Sequence, residues 1–517
     1  MVEIQNIAAR LDDLNIDATE KLWAQYTTGL DFGVDEAQKK VRAFLQDKDN
    51  YKTICKSSET EKTPLDRRRI EILMKQFRPY HHSAHANTLK SEIDAFETKL
   101  GEVLNKHRTI VDGLERSSAE VSRILGESAD REMRKRTYLA QASINEQLVD
   151  NGFLELIQLR QSYAQEIGYH NFIELRADQD DLGPNFFDGW LDLTEQYQRS
   201  YHELSGKVAK RFLGHEDLQP WDLRYLQNLL SERNRHIVDL SSFQTILAKV
   251  FRQFGFEIDR LPITYDIFPR RNKSEWGYMF PIRIGKDIRI IANMDNRFSS
   301  YWVLMHETAH AAHYFGLNPD EILLNLGVSS IVSEGFANFF GDLCFSKEFL
   351  AQFFPNEVDK AFEDFRIVKS FLEMNQVSFL GKTFFDQGLY LQKLQNLDDV
   401  NELFWRVHEK SLGFHRHEGE PPWGKTIHHT TAPIYLHNYF VGDVLCEALK
   451  DRFLSLTGTA WHEQPLRFGK FWKDEVLDPS GTFPVVELFH RATGQSPQNH
   501  LKTYLESIFV NARKNFG

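Results

Sequence analysis

Apolar residues recur every three or four positions through most of residues 19–212. In the stretch KSEIDAFETKLGEVLNKHRTIVDGLERSSAEVSRIL, Ile93, Phe96, Leu100, Val103 and Leu104 make one stripe on a charged background. That spacing puts them on one face of an α-helix. A helix of this kind packs one stripe against a neighbour and leaves the rest in water, so the pattern predicts a scaffold and assigns it no chemistry. The segments LGPNFF (182–187) and LGHEDLQPWD (213–222) interrupt it with glycine and proline, as breaks between helices do. Over residues 261–296 the period changes. EWGYMFPIRIGKDIRIIANMD alternates and is rich in β-formers, with Gly285-Lys286 as the turn between two short strands. It is the one sheet the sequence predicts. From Phe298 helices return, broken at LNPDE, FFPNE and the polar loop GFHRHEGEPPWGK. The pattern predicts a mainly α protein with one small β-sheet, organised as an N-terminal helical lobe (1–260) and a lobe carrying the sheet (261–517) that together make one unit.

Composition narrows the class. A chain of 517 residues, 41% hydrophobic and 26% charged, is long enough for a large core or two lobes. Its net charge of -12 argues against a nucleic-acid or anionic-membrane surface. No apolar run is long enough to span a bilayer, and the acidic N-terminus MVEIQNIAARLDDLNIDATEKLW lacks a signal-peptide core. Cys55, Cys344 and Cys446 are odd in number and far apart, which fits reduced thiols in a cytoplasmic protein.

Chemistry concentrates in VLMHETAHAAH, residues 303–313. On a helix His306 and His310, four apart, point the same way and can share one zinc ion. Glu307, one step round, cannot join them as a ligand but can take a proton from a water at the metal. A third ligand is required, and Glu334 in SSIVSEGFANFFGDL, 24 positions after His310, opens an apolar helix where an unpaired carboxylate is costly. Asn338 and Asp342, one and two turns later, are candidates to orient a ligating histidine, and His313 reads as a packed histidine. Further on, KTIHHTTAPIYLHNYFVGDV gathers His428, His429, Tyr435, His437 and Tyr439. Donors of this type stabilise the negative oxygen that amide hydrolysis builds.

With HETAH, the later glutamate and the His/Tyr cluster, residues 276–450 resemble the HExxH-plus-Glu zinc peptidases. The likeness is to the angiotensin-converting-enzyme-like (M2) and thimet oligopeptidase/oligoendopeptidase F (M3) families. In the N-terminal half, LIQLRQSYAQEIGYHNFIEL looks like the helix that precedes the active-site lobe in these families. The resemblance implies His306, His310 and Glu334 as ligands of one Zn2+ per chain, with Glu307 as the general base that activates a zinc-bound water. It further implies His429 and Tyr439 as holders of the tetrahedral intermediate, with Tyr435 as an additional tyrosine. The strand start Gly277-Tyr278-Met279 becomes the edge on which a peptide backbone pairs. The expected body is elongated and helical, with a deep groove between two lobes that admits short peptides. Ala309 replaces the usual glycine, Asn338 a common aspartate, and Ile427 and Leu436 stand where M2 enzymes clamp a C-terminal carboxylate. These departures favour an oligoendopeptidase over a dipeptidyl carboxypeptidase or carboxypeptidase, which would need a cation such as Lys425, Arg416 or Arg283. The remaining alternative is a catalytically silent helical binding protein. Oligomeric state has no signature in the sequence.

Overall fold

The computed structural model describes residues 1–61, 63–232, 239–274, 277–294, 299–356, 358–412 and 416–516. Trp276, Asn296, Phe298 and the loop residues Gly413, Phe414 and His415, which enter the sequence reading above, lie outside them.

The chain opens with helix α1 (Val2–Thr28), which ends where Gly29 takes a left-handed φ of 72°. Its first half buries Ile4, Ile7, Ala8 and Leu11, the i, i+3, i+4, i+7 set, in a satellite core with Ile54, Leu73, Phe77 and Leu323. Its second half lays Leu22, Trp23 and Tyr26 on the main sheet. The stripe of Ile93 and Leu100 is buried as the periodicity predicts, and Phe96, Val103 and Leu104 pack beside it. The helical reading fails just beyond, where strands β1 (Thr109–Val111) and β2 (Leu114–Arg116) pair antiparallel. Asp112 and Gly113 turn between them at φ 50° and 77°. An Asp-Gly pair supports the two left-handed residues of a tight hairpin, and that local preference overrides the surrounding helical period.

Helix α2 (Phe153–Glu166) follows, with Phe153, Leu156, Ile157 and Arg160 buried. The main sheet has β3 (Ile263–Asp266), β4 (Tyr278–Arg283) and β5 (Asp287–Ile291) in the order β3-β5-β4. β5 runs parallel to β3 and antiparallel to β4, and Gly285 turns the β4–β5 hairpin at φ 71° as its sequence predicts. β4 is therefore an outer strand of this sheet.

Four helices carry the remaining site residues: α3 (Ser299–Gly316), α4 (Ser330–Asp342), α5 (Val358–Leu391) and α6 (His437–Thr457). Every residue of α4 from Ile331 to Gly341 is buried, because α3 packs on one side of it and α6 on the other. The α4–α6 crossing is set by two glycines. A Cβ on Gly335 would lie 2.6 Å from the Gly442 carbonyl oxygen, and one on Gly442 would lie 2.6 Å from the Gly335 nitrogen. The main core runs from Ala86 to Ala512, continuous across residue 260, so both expected lobes share it. Among the described residues no helix is long and apolar enough to cross a membrane.

Gly442→Ala pushes a methyl into backbone that has no rotamer to yield. A loss of about 3 kcal/mol or more is expected, at the top of the overpacking range; an unchanged urea midpoint would show that the crossing is looser than described.

Candidate metal centre and its surroundings

α3 stacks His306 and His310 one turn apart with their Nε2 atoms 3.2 Å from each other. Glu334, from α4, brings Oε2 to 3.5 Å from His306 Nε2 and 3.7 Å from His310 Nε2. Ligands about 2.1 Å from a tetrahedral zinc ion are about 3.4 Å apart, so the three atoms already have the spacing of one face of such a site. Among the described residues this is the one group of three such side chains that so converges. All three are buried, at 7%, 8% and 6% exposure.

The electrostatics point the same way. Burial depresses His306 to about 4 and His310 well below its usual value, and it raises Glu334 to about 7. Each group resists its own charge because water is excluded. Glu334 Oε2 has no hydrogen-bond partner, whereas its Oε1 accepts from the Tyr435 hydroxyl at 3.2 Å. An orphaned carboxylate oxygen facing two imidazole nitrogens is expensive unless a cation sits among them. The donor set of two imidazoles and a carboxylate suits zinc.

The ligands are oriented from behind. His310 Nδ1 is hydrogen-bonded to Ser333 Oγ at 2.7 Å. Asn338 lies beside His306, whose Nδ1 has no hydrogen-bond partner, and donates its amide to Asp443 Oδ1 at 2.6 Å. Asp342, expected beside a histidine, is not there. Its Oδ1 accepts from Trp302 Nε1 at 3.0 Å, and the Trp302 ring stacks on His306 at 4.9 Å. Two further helical turns past Glu334 carry Asp342 beyond the histidines to the indole. His313 is packed and pairs with Ser480 Oγ at 3.3 Å.

Glu307 is buried, and burial with the nearby Glu334 charge raises it to about 8. A Cβ on Gly277 would lie 3.4 Å from Glu307 Oε1, so the chain entering β4 passes directly over this carboxylate. Tyr278 feels the Glu307 charge and packs on Tyr26 and Phe280. The Met279 side chain turns to the other face, among Ile288, Ile290 and Ala311, leaving its backbone at the edge.

The downstream cluster divides. The rings of Tyr435 and Tyr439 lie 5.7 Å apart, and the charges of Glu334 and Glu307 add to burial in raising Tyr439. The histidine that joins them is His428, stacked on Tyr435 at 5.7 Å and 6.3 Å from the Tyr439 ring. His429 faces away, 1% exposed, with Nδ1 3.4 Å from Asp386 Oδ1 and its ring on Phe385. The two sit in the short helix His428–Thr431, where successive side chains diverge by about 100°, so one faces the tyrosines and the other the core. His437 is buried against Phe186 and Phe187.

Two residues that the sequence reading did not single out hold this segment. Asp386 Oδ2 accepts the Ile434 N–H at 2.6 Å and fixes Ile434 at φ 56°. A β-branched residue there costs on the order of 1–2 kcal/mol and persists only when its surroundings impose it. Arg160, fully buried on α2, donates to the Thr430 carbonyl at 2.5 Å, Glu97 at 2.7 Å and the Tyr390 hydroxyl at 3.0 Å. The available signal was an arginine within the apolar face of LELIQLRQSYAQE.

Residues 124–254 match the sequence pattern of Peptidase family M3. The matched segment contains α2 and Arg160 and ends before the main sheet and α3. No curated protein matches the chain in sequence. Among solved structures, PZ peptidase A with an inhibitor superposes with a TM-score of 0.71 at 16% identity, over 98% of this chain and 92% of that one. A putative oligoendopeptidase F superposes at 0.72 with 14% identity, over 99% and 91%. The family match points to a peptide hydrolase, and the two structures show that its mainly helical fold is one that peptidases use.

One equivalent of zinc is expected to raise the melting temperature, with Glu334→Ala and His310→Ala abolishing the shift. Asp443→Ala is expected to weaken zinc affinity by about 10–100-fold, as loss of an outer partner does. Equal zinc content in wild type and Glu334→Ala after dialysis would remove Glu334 from the ligand set.

Proposed function

We propose that this protein is a zinc-dependent metallopeptidase that cleaves short peptides internally, an oligoendopeptidase. The observation that carries the reading is the convergence of His306, His310 and Glu334 with Glu307 one position along α3, against the chain entering an outer β-strand. Zinc held by the two Nε2 atoms and Glu334 Oε2 would supply Lewis-acid polarisation of water and of the scissile carbonyl. The chain's own groups do the rest. A peptide pairing along Gly277, Tyr278 and the Met279 backbone extends the sheet past Glu307, with backbone contacts that make little demand on its side chains. A Glu307 carboxylate oxygen takes the proton of the attacking water and passes it to the leaving nitrogen. Without a cation, burial and the Glu334 charge favour a proton on Glu307; a bound zinc ion would oppose them and leave the carboxylate free to accept one. Tyr439 and His428 face the same space and donate to the developing oxyanion, while the one hydroxyl proton of Tyr435 is held by Glu334 Oε1.

The acidic surface suits peptide substrates rather than nucleic acid, and the buried thiols Cys344 and Cys446 fit a cytoplasmic setting. A silent binding protein would have no use for a buried carboxylate one position along α3 from the converging His306, His310 and Glu334.

Mass spectrometry of peptides blocked at both termini tests the reading. Zinc-loaded wild type is expected to cut within them. Glu307→Gln should keep zinc and lose nearly all turnover, and normal turnover there would refute the base. His428→Ala is expected to lower kcat by about 10²–10³, the effect of one oxyanion donor. His429→Ala should instead act mainly on stability; a larger kcat loss for His429→Ala than for His428→Ala would reverse the assignment.

A further inference from the structure

His306 and His310 are held in different ways. His310 has a hydrogen bond from its far nitrogen, Nδ1 to Ser333 Oγ at 2.7 Å, which sets the plane of the ring and leaves Nε2 for a metal. Nδ1 of His306 has no hydrogen-bond partner. Asn338, beside it, gives its amide protons elsewhere, to Asp443 Oδ1 at 2.6 Å and the Tyr439 carbonyl at 3.5 Å. The torsion that turns an imidazole about its bond to Cβ has a broad minimum, so the side chain alone does not choose a plane. Yet His306 Nε2 points at His310 Nε2, 3.2 Å away, and at Glu334 Oε2, 3.5 Å away.

A flat partner lies against the ring. Trp302, one turn earlier on α3, stacks its indole on the His306 imidazole, with ring centres 4.9 Å apart and planes 22° apart. Near-parallel aromatic rings at that separation attract each other. The indole is itself fixed by α4. Its Nε1 donates to Asp342 Oδ1 at 3.0 Å, and Asp342 Oδ2 accepts from Lys369 of α5 at 3.1 Å. Lys369 also donates to Glu373 Oε1 at 2.5 Å, so the carboxylate that holds the indole is anchored to a second helix. The residue before Asp342 gives the ring its room. A Cβ on Gly341 would lie 2.9 Å from both Nε1 and Cε2 of the indole, well inside contact distance. A glycine where the indole passes and an acid that takes its N–H together define one place for the ring to lie.

We propose that Trp302 is a positioning residue of the metal centre, whose indole, admitted by Gly341 and held by Asp342, sets the plane of His306 in place of the hydrogen bond that this histidine lacks. The role rests on the zinc-site reading and adds to it the residue that prepares one ligand. An imidazole held in plane beforehand loses less freedom when it binds, which raises affinity without any contact between Trp302 and the ion. Asp342 then acts on the histidine through the indole rather than directly.

Zinc affinity, read by competition with a chromogenic chelator, and the visible absorption of the cobalt(II)-loaded protein test this role without turnover. Trp302→Leu is expected to lose about 10–100-fold in zinc affinity and to alter the cobalt band, which reports ligand geometry. Trp302→Phe keeps a flat ring and should recover most of both. Gly341→Ala, at a position that is no candidate ligand, displaces the indole and should lower zinc affinity in the same direction. In the Trp302→Leu background it should cost little more, because both substitutions act through one ring. The melting temperature of each apoprotein shows that it is folded, and Gly341→Ala carries the test if the leucine variant is not. Wild-type affinity in folded Trp302→Leu or Gly341→Ala overturns the positioning role alone. So does an unchanged cobalt band in Trp302→Leu, or a Phe variant as weak as the Leu variant. A wild-type protein that takes up no zinc overturns the zinc-site reading together with it.

Discussion

The backbone contact between Gly335 and Gly442 is the constraint on which the site depends. Glu334 immediately precedes one glycine on α4, and Tyr439 lies three residues before the other on α6. Because neither glycine carries a Cβ, the helix backbones touch, and the Glu334 carboxylate comes within 3.2 Å of the Tyr435 hydroxyl. The same closeness lets Asn338 reach across to Asp443. A methyl group at the crossing would spread the helices by more than the tolerance of a metal site, whose ligands must hold their spacing to a few tenths of an ångström. Packing at one point thus fixes Glu334, Tyr439 and the Asn338 side chain together.

Without a cation the cluster of His306, His310 and Glu334 is costly. Two imidazoles and a carboxylate share a space from which water is excluded, with a second carboxylate, Glu307, raised to about 8 beside them. Ser333 on His310 and Tyr435 on Glu334 offset only part of this cost, and Glu334 Oε2 is left without a hydrogen-bond partner. Groups that resist ionisation for lack of solvent gain most from a divalent cation. The raised proton affinity of Glu307 and the proposed affinity for metal therefore share one cause, the dry interior around α3.

The sequence made the candidate metal ligands legible, the two histidines by a local, periodic spacing and Glu334 by its setting. A turn of helix separates His306 from His310, and Glu334 stands out as an acid in an apolar run. The outer strand was also legible, since alternation in YMFPIRI and the Gly285 turn are local signals. Choosing between His428 and His429 was not. Neighbours on a short helix differ only in direction, and that direction is set by Asp386, some forty residues away in sequence, and by Phe385 beside it. Asp342 failed for the same kind of reason: helical spacing aligned it with Glu334 but could not show that Trp302 lies between it and His306. The β1–β2 hairpin was missed although Asp-Gly announces it, because the long helical period on either side dominated the reading.

Arg160 shows why the N-terminal half bears on the chemistry of the C-terminal half. Its guanidinium is fully buried, an arrangement that requires partners on several sides. It takes them from Glu97 on an N-terminal helix, Tyr390 on α5 and the Thr430 carbonyl. Thr430 lies two residues after His428 and four before the strained Ile434. The orientation of the His428 and tyrosine face is thus set jointly by α2 and α5, one from each half of the chain. The family match at residues 124–254 falls on α2, in the half without His306, His310 and Glu334, and Arg160 is the physical link from that segment to the histidine and tyrosines opposite Glu334. Two lobes with separate cores could not impose such a geometry. A core continuous from Ala86 to Ala512 can, because any shift of α2 against α5 must break a buried charge from its partners.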